Sequence, residues 1–560
     1  MKSILKITPV IFGASILLTS CFSANPKLIS TKPESIDNLP LKISALTSSE
    51  LKKWNHADLS LDTIPGMSVT RAYDELLKGM KSSTVVVAVV DSGIDINHED
   101  LKGKIWTNKD EKPNNGIDDD NNGYVDDVNG WNFLGDIVAE NMEFTRIIRD
   151  FRSKFEGKSA SDFSGKDLIM FKNYEAAKKQ YDEEVSENTS ALAQYEPFEV
   201  KIKEAHKFAS DQLKKVDYTQ KEASALIANT TEEQNHKQVV LGMYANVKEG
   251  ENFEDFITGL VEYVDYLRDR KKTHYNLDLN ARTILGDNEN DFSKTIYGNN
   301  QVGGPDPELK DAKHGTHVAG IIGAKRNNKY GTNGIAEKVK IMAVRAVPDG
   351  DEYDKDIALA LRYAADNGAK IINTSFGKFF SQHPEKVREA IKYAESKDVL
   401  IVNAAGNDAK DLDVNDVYPN DQTSEIAEIS DNFITIGALN YEYGTSLVAD
   451  FSNYGKSNVD VFAPGVKIYS TTPLNTYEYL QGTSMAAPAV AGVAAVLRSY
   501  FPTLTAKQTK QIIMNSGNAT VTNVALGEGG AAPFSTISKS GKMVNLYNAI
   551  LLAKKETLTK

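Results

Sequence analysis

The run Thr84-Val85-Val86-Val87-Ala88-Val89-Val90, followed at once by Asp91-Ser92-Gly93, decides the fold class. It is continuous, β-branched and apolar, without the alternation of a strand that faces water on one side. It therefore reads as a strand buried on both faces of a parallel sheet. Similar runs recur at Lys340 to Val344, Lys370 to Thr374, Val399 to Asn403 and Phe433 to Ile436. Helical stretches separate several of them, at Asp356 to Asn367 and His383 to Ser396. Strands alternating with helices predict an α/β fold, a doubly wound and mostly parallel sheet flanked by helices. The alternation breaks between about Gly135 and Asn300, in a segment rich in Lys and Glu. There Phe253, Phe256, Ile257, Leu260, Val261, Val264 and Leu267 follow the i, i+3, i+4, i+7 rule, which predicts a helical insertion packed on or over the core.

A chain with 41% hydrophobic and 25% charged residues can bury a sizeable core, which excludes wholesale disorder. The net charge of −13 argues against nucleic acid as a partner. At the N-terminus, Lys2 and Lys6 precede a short apolar run from Ile7 to Leu18, and Leu18-Thr19-Ser20-Cys21 follows. This resembles a bacterial lipoprotein signal. The resemblance implies removal of residues 1–20, acylation of the Cys21 thiol and a membrane anchor at the new N-terminus. A plain secretory signal with an incidental cysteine is the alternative; the apolar run is too short to span a bilayer. Both readings predict export. The first places the protein on the bacterial cell envelope at the outer membrane, at its periplasmic face or the cell surface. Cys21 is the only cysteine, so no intrachain disulfide is possible. Residues 21–50 contain Pro26, Pro33 and Pro40 and read as a tether.

Three motifs sit where an α/β sheet builds its active site, at strand C-termini and helix N-termini. Asp91 follows the first buried strand, His314 opens His314-Gly315-Thr316-His317-Val318-Ala319-Gly320, and Ser484 lies in Gly482-Thr483-Ser484-Met485-Ala486-Ala487-Pro488. Pro488 is expected in the first turn of the helix that follows, where a missing N–H is tolerated. A serine hydroxyl is a poor nucleophile until an imidazole takes its proton, and the imidazole needs a carboxylate to fix its tautomer and steady its cation. The chain order Asp, His, Ser is one of the known arrangements of such a triad. His317 is expected to be a packing residue.

These motifs resemble those of the subtilase family, peptidase family S8, over residues 51–135 and 301–550. The resemblance implies a serine endopeptidase acting on polypeptides through an acyl-enzyme, with Asp91, His314 and Ser484 as its triad and no cofactor for catalysis. It also implies that Asn407, in Ala404-Ala405-Gly406-Asn407, gives its amide to an oxyanion hole. Ser375, Phe376 and Gly377 match the family's edge strand that pairs with an extended substrate, a form of β-augmentation. The expected organisation is a peptidase domain over 51–553, interrupted by the insertion at 136–300. Asp91 and His314 stand 223 residues apart, several times the family's usual gap, so the insertion is expected to gate or reshape the cleft. The stretch between Cys21 and Leu51 is also too short for the usual propeptide.

One further motif, Asp118-Asp119-Asp120-Asn121-Asn122-Gly123-Tyr124-Val125-Asp126-Asp127, has calcium-loop spacing. Asp118, Asp120, Asn122, the Tyr124 carbonyl and Asp126 take its ligand positions, and a structural Ca²⁺ is expected there. Asn129 replaces the closing glutamate, so closure would fall to Asp127 or another segment. The alternative is an acidic turn held by Asx hydrogen bonds. For the whole chain, the reading that competes with an endopeptidase is a catalytically silent, peptide-binding lipoprotein.

Overall fold

A computed structural model describes residues 37, 42, 44–247, 252–527 and 529–558. The strands in chain order are β1 (Val85–Asp91), β2 (Gly130–Asn132), β3 (Val339–Arg345), β4 (Ile371–Thr374), β5 (Leu400–Ala404), β6 (Phe433–Leu439) and β7 (Val461–Pro464), then β8 (Ile468–Thr472), β9 (Thr476–Leu480), β10 (Asn518–Ala519), β11 (Asn523–Leu526), β12 (Gly530–Pro533) and β13 (Lys542–Met543). Among the described residues nine strands form one sheet, in the order β10-β13-β7-β6-β5-β4-β1-β3-β2. Every pair in it is parallel except β10 with β13. β8 and β9 form a separate hairpin, as do β11 and β12.

The valine run behaves as a doubly buried strand should. Val85, Val87 and Val89 pack into the hydrophobic layer on one face, Ala88 and Val90 into the layer on the other. Ten helices matter below: α1 (Glu143–Phe155), α2 (Gly165–Leu213), α3 (Thr231–Met243), α4 (Phe253–Lys272), α5 (Lys313–Gly323), α6 (Asp354–Asp366), α7 (Pro384–Ser396), α8 (Thr483–Tyr500), α9 (Ala506–Ser516) and α10 (Leu546–Leu558). α5 and α8 to α10 cover the first face; α6 and α7 cover the second. The predicted alternation of strands and helices is therefore the observed fold: a doubly wound, mostly parallel sheet flanked by helices.

Three expectations change. Ser375, Phe376 and Gly377 do not lie on an edge strand, because β4 sits between β5 and β1 in mid-sheet; the three residues run past its C-terminal end, where the parallel ladder has stopped. Pro488 is the sixth residue of α8, beyond its first turn, so the carbonyl of Ser484 loses the N–H that would have closed its helical bond. The run Met543 to Ile550, which reads from the sequence as a last helix, opens instead with Met543 in β13, and α10 begins only at Leu546.

The insertion leaves the sheet after β2 and returns beside it, since Asn132 and Asn299 exchange backbone bonds of 2.9 and 3.0 Å. Between them α2 runs for 49 residues, about 74 Å at 1.5 Å per residue. The apolar stripe of α4 is satisfied within the insertion. Phe253 and Ile257 join Ile202, Tyr218 and Val240 in a distal cluster, while Val264 and Leu267 meet Leu192 farther down. At the base, α1 and the residues after α4 bind the sheet domain. Phe144 packs on Phe380, and Arg282 makes two bonds of 2.7 Å to Asp356 of α6.

Candidate active site

Asp91 ends β1, is 2% exposed, and accepts a 2.7 Å hydrogen bond from Nδ1 of His314, the second residue of α5. The close approach depends on Gly315, where a Cβ would collide with the Gly93 carbonyl and press on Asp91. A carboxylate can only accept, so Nδ1 carries the proton and Nε2 is left as the basic atom. Burial opposes the imidazolium, but the charge and hydrogen bond of Asp91 hold His314 above its ordinary value of 6.5. His317 lies within 3.1 Å of the Ile468 carbonyl and 3.2 Å of that of Glu478, which ties α5 to the β8–β9 hairpin. Burial drops it to about 3.

Ser484 is the second residue of α8, so its backbone N–H is one of the free donors at a helix N-terminus. Its hydroxyl donates to the Ser375 carbonyl at 3.1 Å. Ser375 answers with its own hydroxyl, which reaches the Ser484 carbonyl at 2.9 Å and fills the place left empty by Pro488. Asn373, wholly buried, donates to the Ser375 hydroxyl at 2.9 Å and so directs that proton toward Ser484.

Asn407 is oriented from behind. Its Oδ1 accepts from the Thr483 N–H at 2.8 Å and from the Thr483 hydroxyl at 3.0 Å, which turns Nδ2 the other way. Gly482, at φ +147°, passes between Asn407 and the Ser484 amide, and a Cβ there would stand 3.4 Å from Asn407 Nδ2 and 3.6 Å from Ser484 N. Thr483 is a supporting residue that motif reading alone leaves without a role.

A cavity of about 280 Å³ opens beside Ser484, and its lining includes Asn407, Gly406, Phe376, Gly377, Asp351 and Glu352. Asp351 and Glu352 come from the acidic stretch Asp349-Gly350-Asp351-Glu352, whose composition was the available signal.

The structure regroups the expected calcium ligands. Asp118 accepts from the Asn122 and Gly123 amides at 3.1 and 2.8 Å, and Asp126 from those of Asn115 and Gly116 at 3.1 and 2.9 Å. Asn122 Oδ1 accepts from the N–H of Tyr124 at 2.8 Å. The carboxylates that converge are instead Glu111, Asp120 and Asp127, each offering an oxygen within 4.8 Å of the others. Burial pushes Asp127 up to about 6, and the charge of Asp120 adds to the rise. Glu111 is contributed by a turn upstream of the motif. Cys21 and residues 1–36 lie outside the described residues.

The comparisons with known proteins agree with this geometry. The family model described as "Subtilase family" matches residues 82–532. The thermophilic serine proteinase of Bacillus sp. (strain AK1) is 45% identical over 187 residues, 33% of this chain and 42% of that protein. The cell wall-associated protease of Bacillus subtilis (strain 168) is 38% identical over 226 residues, 40% of this chain and 23% of that protein. The chain thus spans under half the length of these two relatives. Subtilisin DY of Bacillus licheniformis is 34% identical over 233 residues, 41% of this chain and 78% of that protein. A family match over most of the chain, on a sheet that brings the Asp and His motifs together, shows that the chain belongs to the subtilase family of serine proteases.

Proposed function

We propose that the protein is an exported endopeptidase that hydrolyses peptide bonds through Asp91, His314 and Ser484. The observation that carries this reading is the 2.7 Å Asp91–His314 bond, set on the sheet where α8, packed against α5, presents Ser484 at its N-terminus beside Asn407. Rotation of the Ser484 hydroxyl from the Ser375 carbonyl toward His314 lets Nε2 take its proton as Oγ attacks the scissile carbonyl. The oxyanion is met by the Ser484 N–H and Asn407 Nδ2. His314 then protonates the departing amine, and water enters by the reverse route to release the acid. Fluorophosphonate labelling tests the reading, because only an activated serine reacts; an unlabelled, folded protein favours the silent peptide binder.

Replacing Asn407 by alanine is expected to lower kcat by about 10²–10³ with little change in KM, since its donor serves charge that exists only in the transition state. Steady-state kinetics on one peptide check this. A loss confined to KM would assign Asn407 to ground-state binding.

Two further parts of the proposal concern stability and place. Glu111, Asp120 and Asp127 offer the hard oxygen donors that suit Ca²⁺, gathered in one loop, and we assign them a structural ion with no catalytic step. A site that binds only the folded state stabilises it by about 2.7 kcal/mol at one hundred times Kd. Chelation is therefore expected to lower the melting temperature while fluorophosphonate labelling persists below it, and Asp120→Ala should remove the calcium dependence. An unmoved melting curve would return the loop to a hydrogen-bonded acidic turn. The lipid anchor at Cys21 rests on the signal motif, and among the described residues no helix is long and apolar enough to cross a membrane.

A further inference from the structure

The wall of the cavity beside Ser484 holds more carboxylates than cations to match them. Lys378 is 1% exposed and donates to Glu143 Oε2 of α1 at 3.0 Å and to the Glu352 carbonyl at 2.6 Å, with Asp354 Oδ1 at 3.0 Å. Arg146 of α1, also 1% exposed, pairs with Glu143 and donates to the carbonyls of Asp351 at 2.8 Å and Glu352 at 3.0 Å. Both cations are thus committed to Glu143 and Asp354, or to backbone oxygens. Asp351 and Glu352 remain, 8% and 3% exposed, and neither carboxylate has an ion-pair partner among the described residues. Asp351 receives the Glu143 N–H at 2.7 Å, while Oε1 of Glu352 is buried with no hydrogen-bond partner. Both residues line the same cavity as Asn407 and Ser484, and Asp408 adds a third carboxylate at its rim.

We propose that this cleft selects polypeptides with an arginine or lysine on the Asn407 side of the scissile bond, Glu352 being the specificity-determining acceptor and Asp351 and Asp408 its support. The proposal rests on the proteolytic reading above and names the substrate class of that site. A buried carboxylate without a counter-ion is costly, and a cationic side chain entering the cavity supplies the missing charge together with donors. A guanidinium, with donors in a planar fork, fits an unpartnered carboxylate best. A neutral side chain leaves the carboxylate as it was, so discrimination follows from the partner that is absent. Burial pushes Glu352 up to about 8 and raises Asp351 too, against the charges of Lys378 and Arg146, so an arriving cation is what favours the ionised form of Glu352. The insertion has a defined part in this. The Lys378 ammonium bonds Glu143 of α1 and Asp354 and meets Glu352 at its carbonyl, so the inserted helix takes up a side-chain bond that the Glu352 carboxylate does without.

The test compares fluorogenic peptides that differ only in arginine against citrulline, its neutral isostere, at each of the four positions preceding the fluorophore. For the intact protein, kcat/KM is expected to favour arginine about tenfold to a hundredfold at one of these positions. Glu352→Gln should bring that ratio close to one, chiefly through the KM of the arginine peptide. Equal cleavage of both peptides at all four positions, by enzyme that labels with fluorophosphonate, overturns the proposal and leaves the proteolytic reading standing. So does a ratio unchanged in a Glu352→Gln protein with a cooperative melting curve. Should that variant not fold, the arginine-to-citrulline ratio of the intact protein decides. Absence of labelling strikes the proteolytic reading itself.

Discussion

Replacing Ser484 by alanine is expected to lower kcat by about 10⁶-fold, the loss seen when such a triad is deprived of its nucleophile. The size of the effect follows from the triad acting as a unit: without Oγ, the Asp91–His314 pair has no hydroxyl to activate and no acyl-enzyme forms. What survives is the oxyanion site and the cleft, worth about 10³–10⁴ over water. The fold should barely notice. The hydroxyl makes one 3.1 Å bond, to the Ser375 carbonyl, and a single bond of this kind contributes about 1 kcal/mol. The reciprocal bond from the Ser375 hydroxyl reaches the backbone of residue 484 and survives the substitution. Peptide hydrolysis, fluorophosphonate labelling and melting together check this. Turnover at the level of the unaltered protein would remove Ser484 from the mechanism.

Asp91→Asn is expected to cost about 10⁴ in kcat, because an amide facing His314 Nδ1 no longer enforces the tautomer that leaves Nε2 basic. The substitution is isosteric at a residue 2% exposed, so the loss should be chemical and not a matter of packing. It also carries a pH signature. His314 must be neutral to act as base, so activity climbs as pH passes its pKa, and Asp91 holds that pKa above 6.5 against the opposing effect of burial. With the carboxylate gone, burial acts alone, and the rising limb of kcat/KM should move to lower pH. Residual activity whose limb stays in place would mean that something other than Asp91 sets the base.

The parts of the molecule legible in the sequence were those with local signatures. The run of valines from Val85 to Val90 needed no partner to be read, since burial on both faces removes the alternation that other strands show. The Asp91, His314 and Ser484 motifs that carry the family resemblance were likewise short and contiguous. What escaped depended on pairings distant in the chain. Lys378 finds Glu143 from 235 residues away, whereas Glu111 is near in the chain but outside the loop spacing that was read, and it joins the acidic loop by bending back across a turn. The stripe on α4 was visible, but its partner was not: periodicity says that a face is buried and never against what. Ser375 could be matched to a substrate-binding segment, yet its position past the end of a central strand depends on β5 and β1, which flank β4 only in the folded sheet.

The bridge between Asn132 and Asn299 bears on how the chain finds this fold. These residues stand 167 apart, and joining them removes the arm from the search that must bring Asp91 to His314. Closure entropy grows only as the logarithm of loop length, about 0.6 kcal/mol per doubling, so even the unfolded arm adds on the order of 2–3 kcal/mol over a ten-residue turn. Its long helix closes on the helix that returns, as where Asn188 reaches the Leu267 carbonyl from 79 residues away, so the arm carries its own long-range contacts. Because closure cost grows only with the logarithm of length, lengthening or trimming the outer end of the arm by a few residues changes that cost by only a small fraction of a kcal/mol.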